Sequence, residues 1–131
     1  MTESLLDTSV LIGGSDQPLP GDQATRAAIS VVTLGELRAG VLLAAEAASR
    51  AARAQRLARI RAALLALPVD DAVADQYGVA LAHARQRRRV TKATDLLIIA
   101  TAAATGRLLM THDRSQAALA RELDLPVSVP D

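Results

Sequence analysis

Short apolar runs alternate along this chain with longer stretches whose apolar residues recur at helical spacing. Ser4 to Ile12 is the first short run, interrupted by Asp7, and it reads as a buried strand entering a loop at Gly13 and Gly14; "SDQPLPGDQ" is that loop. Ile29 to Val32 is β-branched and predicts a second strand. Thr33, followed three residues later by Glu36, has the form of a capping box that opens a helix. From Leu34 to Leu67 the Ala, Leu and Arg content favours helix, as two helices with a break near Ala47 to Ser49, and Pro68 ends the second. "PVDD" then predicts a minimal strand, with Asp70 or Asp71 capping a helix in which Val73, Tyr77, Leu81 and Ala84 share one face. Thr91 or Thr94 caps the next helix, "DLLIIATAAAT", which Gly106 closes as a left-handed C-terminal residue. "LLMT" resumes as a strand, Ser115 to Leu123 form a last helix, Pro126 punctuates, and "VSV" offers a final edge strand.

Strands alternating with helices predict an α/β fold: a central, mainly parallel sheet flanked by helices, in a single domain spanning 1–131. In such sheets ligands gather beyond the carboxyl ends of the strands. Half of the residues are hydrophobic, yet Tyr77 is the only aromatic, so the core is built from Leu, Ile, Val and Ala. With no Cys there is neither a disulfide framework nor a thiolate metal site, and any metal would be held by oxygen. "MTESLLDTS" lacks the features of a secretory signal, and the longest apolar stretch, Leu96 to Met110, is broken by Gly106 and Arg107. Both observations predict a cytoplasmic protein with no membrane segment. A net charge of +1 excludes a histone-like basic binder.

The candidate chemistry lies in four acids at the edges of apolar runs: Asp7 in "LLDTSVLI", Glu36 in "ISVVTLGEL", Asp95 in "ATDLLIIATA" and Asp113 in "LLMTHD". The predicted winding puts all four on one rim of the sheet. Two carboxylates about 6 Å apart repel by roughly 3 kcal/mol at an effective dielectric near 20, so a group of them calls for a cation. Mg²⁺ or Mn²⁺ accepts oxygen ligands and keeps coordinated waters, which points to phosphodiester hydrolysis by an activated water. No Ser-His-Asp or Cys-His arrangement competes, because Cys is absent and His83 and His112 have no evident partners. Each acid also has a plainer explanation: Glu36 completes the capping box, Asp95 favours the positive end of its helix, and Asp113 is a turn residue. Asp7 has no capping or turn role that the sequence suggests.

The opening "LLDTSVLI", the helix start "SVVTLGELRAGV" and the segment "ATDLLIIATAAATGRLLMTHD", in that order and spacing, resemble the PIN domain, in particular the VapC-like toxins of toxin–antitoxin pairs. The resemblance implies a metal-dependent ribonuclease with Asp7, Glu36, Asp95 and Asp113 as metal ligands or water-activating groups. It implies that Thr8, or Ser9 beside it, orients a ligand or bound water and that Thr111 plays a supporting part. It further implies a VapB-like antitoxin laid over the active-site groove and a toxin homodimer; "AGVLLAAEAA" fits either the surface that receives the antitoxin or core packing against the sheet. The chain departs from the family pattern in having Thr94 before the third acid, and Gln116 and Ala117 where an acid and Phe are common. Any fourth carboxylate must then come from Asp113.

Arg85, Arg87, Arg88, Arg89 and Lys92 cluster just before Asp95, where a nucleic-acid backbone can lie, although basic residues at a helix end are also a common solvated feature. Arg50, Arg53, Arg56, Arg59 and Arg61 read as the solvated face of a helix whose buried stripe is Leu57, Ile60 and Leu64. With almost no aromatics to stack on bases, a folded RNA, such as tRNA or rRNA, fits better than a flexible strand. The competing readings are a receiver-like or phosphoaspartate Mg²⁺-binding domain and a catalytically silent PIN module. Asp7 lacks the second Asp two residues on that phosphoaspartate phosphatases use, and the intact acids speak against a silent module.

Overall fold

The computed structural model describes residues 3–12, 19 and 26–130. Five parallel strands, β1 (Glu3–Leu6), β2 (Arg26–Ser30), β3 (Leu65–Leu67), β4 (Leu108–Met110) and β5 (Val127–Ser128), form one sheet in the order β3-β2-β1-β4-β5. The helices are α1 (Val31–Leu43), α2 (Ala47–Ala63), α3 (Asp71–Gln86), α4 (Ala93–Thr105) and α5 (Arg114–Glu122), with a 3-10 turn at Thr8–Val10. Every strand pair is parallel, so the expected mainly parallel α/β sheet is realised in full. The loop expected from Gly13 onward lies outside the described residues.

Successive side chains of the central strands feed opposite cores, as the two-residue period of a strand requires. Leu5 and Ala28 join Leu96, Ile98, Ile99, Leu109 and Leu119 on the side of α3, α4 and α5. Leu6 and Ile29 join Val10, Leu11, Ile60 and Leu64 on the side of α2. A strand covered on both faces carries a nearly unbroken apolar run, which is why "SLL" precedes Asp7 without alternation. The Leu57, Ile60 and Leu64 stripe is buried as expected.

Several local expectations are corrected. Helix α1 begins two residues before Thr33: Ser30 is its N-cap and its Oγ accepts from the Val32 N–H at 3.0 Å. Val31 and Val32 are therefore helical, and Thr33 and Glu36 form no capping box. The third strand is Leu65–Leu67, ahead of Pro68, not "PVDD", because the proline lacks the N–H that would continue the ladder. Asp70 does cap α3, its Oδ1 accepting from the Val73 N–H at 3.0 Å. Lys92, not Thr91 or Thr94, is the N-cap of α4 and makes no side-chain capping bond. Gly106 ends α4 at φ 67°, the left-handed position foreseen for it. No described helix is long and apolar enough to cross a membrane.

The strand order fixes where the site falls. From β3 at one edge the chain passes through α3 and α4 and resumes on the far side of β1, so β1 and β4 are adjacent strands whose following connections diverge. The crevice beyond their carboxyl ends is where α/β sheets bind ligands.

Candidate active site

Asp7 stands at the carboxyl end of β1, where its own N–H completes the ladder by donating to the Met110 carbonyl at 2.9 Å. Its carboxylate is 5% exposed and is held on both oxygens. Oδ2 accepts from the Ser9 N–H at 3.0 Å and from the Thr111 hydroxyl at 3.3 Å, while Oδ1 accepts from Gln116 Nε2 at 3.2 Å. Asp7 is thus the N-cap of the 3-10 turn, a local role that the sequence did not disclose. The cap uses one oxygen and leaves the other to a long-range partner.

Ser9 and Thr111 join the ends of β1 and β4. Their hydroxyl oxygens lie 3.3 Å apart, Ser9 Oγ accepts from the His112 N–H at 3.0 Å, and Thr111 Oγ1 accepts from the Asp113 N–H at 3.0 Å. Thr8 faces the other way, towards α1. Its hydroxyl donates to Glu36 Oε1 at 2.6 Å and lies 3.1 Å from the hydroxyl of buried Thr33. Glu36, released from any capping duty by the earlier start of α1, is tied to the residue that follows Asp7.

Asp95 occupies the first turn of α4. Burial is the chief cause that pushes its carboxyl above the ordinary range; the charges of Asp7 and Asp113 add to this, Lys92 opposes it, and Glu36 adds further. The charges of the other three acids therefore all reach Asp95. Asp113 is also the N-cap of α5, its Oδ1 accepting from the N–H groups of Ser115 at 2.9 Å and Gln116 at 3.1 Å. Among the described residues none of the four acids is ion-paired, and no three His, Asp or Glu side chains stand close enough to make a ready metal-binding group. The charges of the acids meet at Asp95 without a closed ligand sphere; Glu36 and Asp113 each spend an oxygen on a neighbour, and Asp7 spends both.

Such an arrangement suits a hard cation that retains waters better than one that demands an all-protein cage. The donors are oxygens, Lys92 is among the described residues the one cation that opposes the charges acting on Asp95, and Gln116 Oε1 is buried without a hydrogen-bond partner. Next to Thr8 and Glu36 a cavity of about 280 Å³ is walled by Leu11, Leu37, Leu57, Arg53 and Arg56. Arg56 departs from the solvated-face expectation: it is 5% exposed and its Nε donates to the Leu11 carbonyl at 3.0 Å. Its place one turn before Ile60 on the buried stripe was the available signal.

The basic stretch does not act as one patch. Glu122 of α5 accepts from Arg89 in a short ion pair, lies 2.9 Å from His83 Nε2 and 3.9 Å from Arg87 Nε, so two of the five cations and one supposedly unpartnered histidine converge on it. Arg85 and Arg88 are exposed, and Lys92 is the cation whose charge reaches Asp95. Sequence reasoning missed Gln116 as a contact of Asp7; its place one turn after Asp113 was visible, but it registered only as a missing acid.

The PIN domain family profile matches residues 4–122. Ribonuclease VapC8 of Mycobacterium tuberculosis is 43% identical over 100 residues, covering 75% of this chain and 88% of that protein. Ribonuclease VapC5 of the same species is 40% identical over 122 residues, covering 88% and 86% respectively. Among solved structures, VapBC-5 from Mycobacterium tuberculosis, a member of the VapBC family of toxin-antitoxin systems, superposes with a TM-score of 0.80 at 35% identity, covering 98% of this chain and 97% of that one. VapBC2 from Rickettsia felis, bound to a DNA fragment from its promoter, shares the fold with a TM-score of 0.83 at 20% identity, over 99% and 100% of the two chains. With its acids on one edge of a parallel sheet and a profile match over most of its length, this chain belongs to the PIN domain family.

Proposed function

We propose that this chain is the toxin of a VapBC-type pair, an endoribonuclease that hydrolyses RNA phosphodiester bonds with a divalent cation, Mg²⁺ or Mn²⁺. The observation that carries the reading is the crowding of acids at the edge of the sheet, where burial chiefly, then Asp7, Asp113 and Glu36, hold the Asp95 carboxyl above its ordinary range against the opposing charge of Lys92. Relatives named ribonucleases at 43% and 40% identity support the reaction class. Asp7 and Asp95, with Glu36 and Asp113, would hold the ion. Once bound, the cation supplies charge compensation and a more acidic water.

The protein's own part is positioning. Thr8 directs Glu36 through the 2.6 Å hydrogen bond, so the second carboxylate oxygen of Glu36 would serve either as a ligand to the ion or as the acceptor of a proton from water. Thr111 and the Ser9 N–H fix Asp7, so that its orientation does not depend on substrate. Lys92, with exposed Arg85 and Arg88, would meet the RNA backbone beside Asp95.

A VapB-like antitoxin would cover the cavity beside Thr8 and Glu36. Ile12, Leu42 and Leu43 are 74%, 57% and 81% exposed, and Ile12 itself lines that cavity. Sequencing the 5′ ends of cellular RNA after induction, with Asp7→Asn as control, tests activity and substrate together. New ends that depend on Asp7 support the reading; identical ends in the control would refute it.

A further inference from the structure

Gln116 is unusual among the buried side chains. It is 2% exposed in the first turn of α5, and its Nε2 donates to Asp7 Oδ1 at 3.2 Å and lies 3.4 Å from the Asp95 carbonyl oxygen. Both neighbours are acceptors, so turning the amide over would set its oxygen against two others. Its orientation is therefore fixed, and Oε1 is left as the one buried side-chain polar atom without a partner among the described residues. An unpaired buried acceptor costs free energy, so a residue needed only to fill this space would better be Met or Leu. The turn that carries Gln116 is also anchored, because Asp113 Oδ1 accepts from the Gln116 N–H at 3.1 Å.

We propose that Gln116 is a positioning residue of the cation site: its amide N–H holds Asp7 in place, and its free carbonyl oxygen receives a hydrogen bond from a water in the ion's hydration shell. This rests on the metal-dependent reading above. A hard cation that keeps waters needs acceptors for their outward protons. A neutral amide provides one without adding a further negative charge beside Asp7 and Asp95.

The test is a Mn²⁺ titration of the full chain followed by electron paramagnetic resonance, paired with thermal melting in EDTA. Gln116→Met should weaken Mn²⁺ binding about tenfold or more, whichever way the loss of both the Asp7 hydrogen bond and the unpaired Oε1 moves the melting temperature in EDTA. Gln116→Glu keeps an acceptor oxygen and adds charge, so it should bind Mn²⁺ at least as tightly as the unsubstituted chain while melting lower in EDTA. Unchanged Mn²⁺ affinity in Gln116→Met with a lowered melting temperature would reduce Gln116 to a packing role. If that variant does not fold, weaker Mn²⁺ binding by Gln116→Glu overturns the proposal. Absence of Asp7-dependent Mn²⁺ binding in the unsubstituted chain would instead remove the metal-dependent reading, and this inference with it.

Discussion

Two charged regions of this molecule are built in opposite ways. At the carboxyl edge of the sheet, Asp7, Glu36 and Asp113 are held by hydroxyls, backbone N–H groups and one amide, Asp95 stands in the first turn of α4, and none of the four has an ion pair among the described residues. Where α3 and α5 meet, Glu122 gathers His83, Arg89 and Arg87 around a single carboxylate. Asp95 is pushed up, chiefly by burial and then by Asp7 and Asp113, whereas Glu122 is pushed down, chiefly by its hydrogen bond to His83. In the first region, among the described residues, only Lys92 opposes the charges acting on Asp95; the second gathers its counter-charges around one carboxylate. A density of charged letters therefore does not tell the two regions apart; whether the charges are paired does.

The contrast is sharpest under substitution of the first region. Asp7→Asn or Asp95→Asn should lower RNA cleavage by roughly 10²- to 10⁴-fold, measured on a fluorescent RNA with Mg²⁺, without unfolding the chain by circular dichroism. Cleavage that survived either change would place the chemistry elsewhere. Adding Mn²⁺ at about a hundred times its Kd should stabilise the unsubstituted chain by about 2.7 kcal/mol in urea denaturation, and Asp7→Asn should forfeit most of that gain. Equal stabilisation of both proteins would mean that the edge is not where the ion acts.

Acid titration separates the regions by sign. Because the Asp95 carboxyl is raised from its ordinary 3.8, the folded chain holds that proton more tightly than the unfolded chain, and its contribution to stability falls as pH rises from there through the raised value. Glu122 is lowered from 4.5, so its contribution is present above that value and is lost as pH falls through the lowered one. In EDTA, urea midpoints of Asp95→Asn and Glu122→Gln, each set against the unsubstituted chain across the acid range, should diverge with opposite slopes. Parallel slopes would erase the distinction between the regions. The smallest effect belongs to Glu122→Gln at neutral pH: an exposed ion-pair cluster contributes little, and cleavage should change by no more than about twofold. A large loss there would put the basic cluster inside the reaction centre.

Much of the fold was legible because it depends on local pattern. Gly106, Asp70 and the stripe of Leu57, Ile60 and Leu64 each act within a turn or two of their own position, and each behaves as read. The misreadings come where two local signals compete. Thr33 and Glu36 match a capping box, but Ser30 caps first, which turns Thr33 and Glu36 towards Thr8. Arg56 matches a solvated face, but its position on the buried stripe carries it to the Leu11 carbonyl, 45 residues away.

The sequence by itself determined which residues are acidic, that strands alternate with helices, and that no thiolate is at hand for an ion. These follow from side-chain chemistry and from periods of two and 3.6 residues, which need no knowledge of distant contacts. The tertiary structure alone decided which neighbours hold the oxygens of Asp7, Glu36 and Asp113, which arginines are already engaged, and that Gln116 reaches Asp7 across 109 positions of chain. The strand order brings β1 beside β4, and the direction of each side chain within that shared edge is set by partners that no local pattern records.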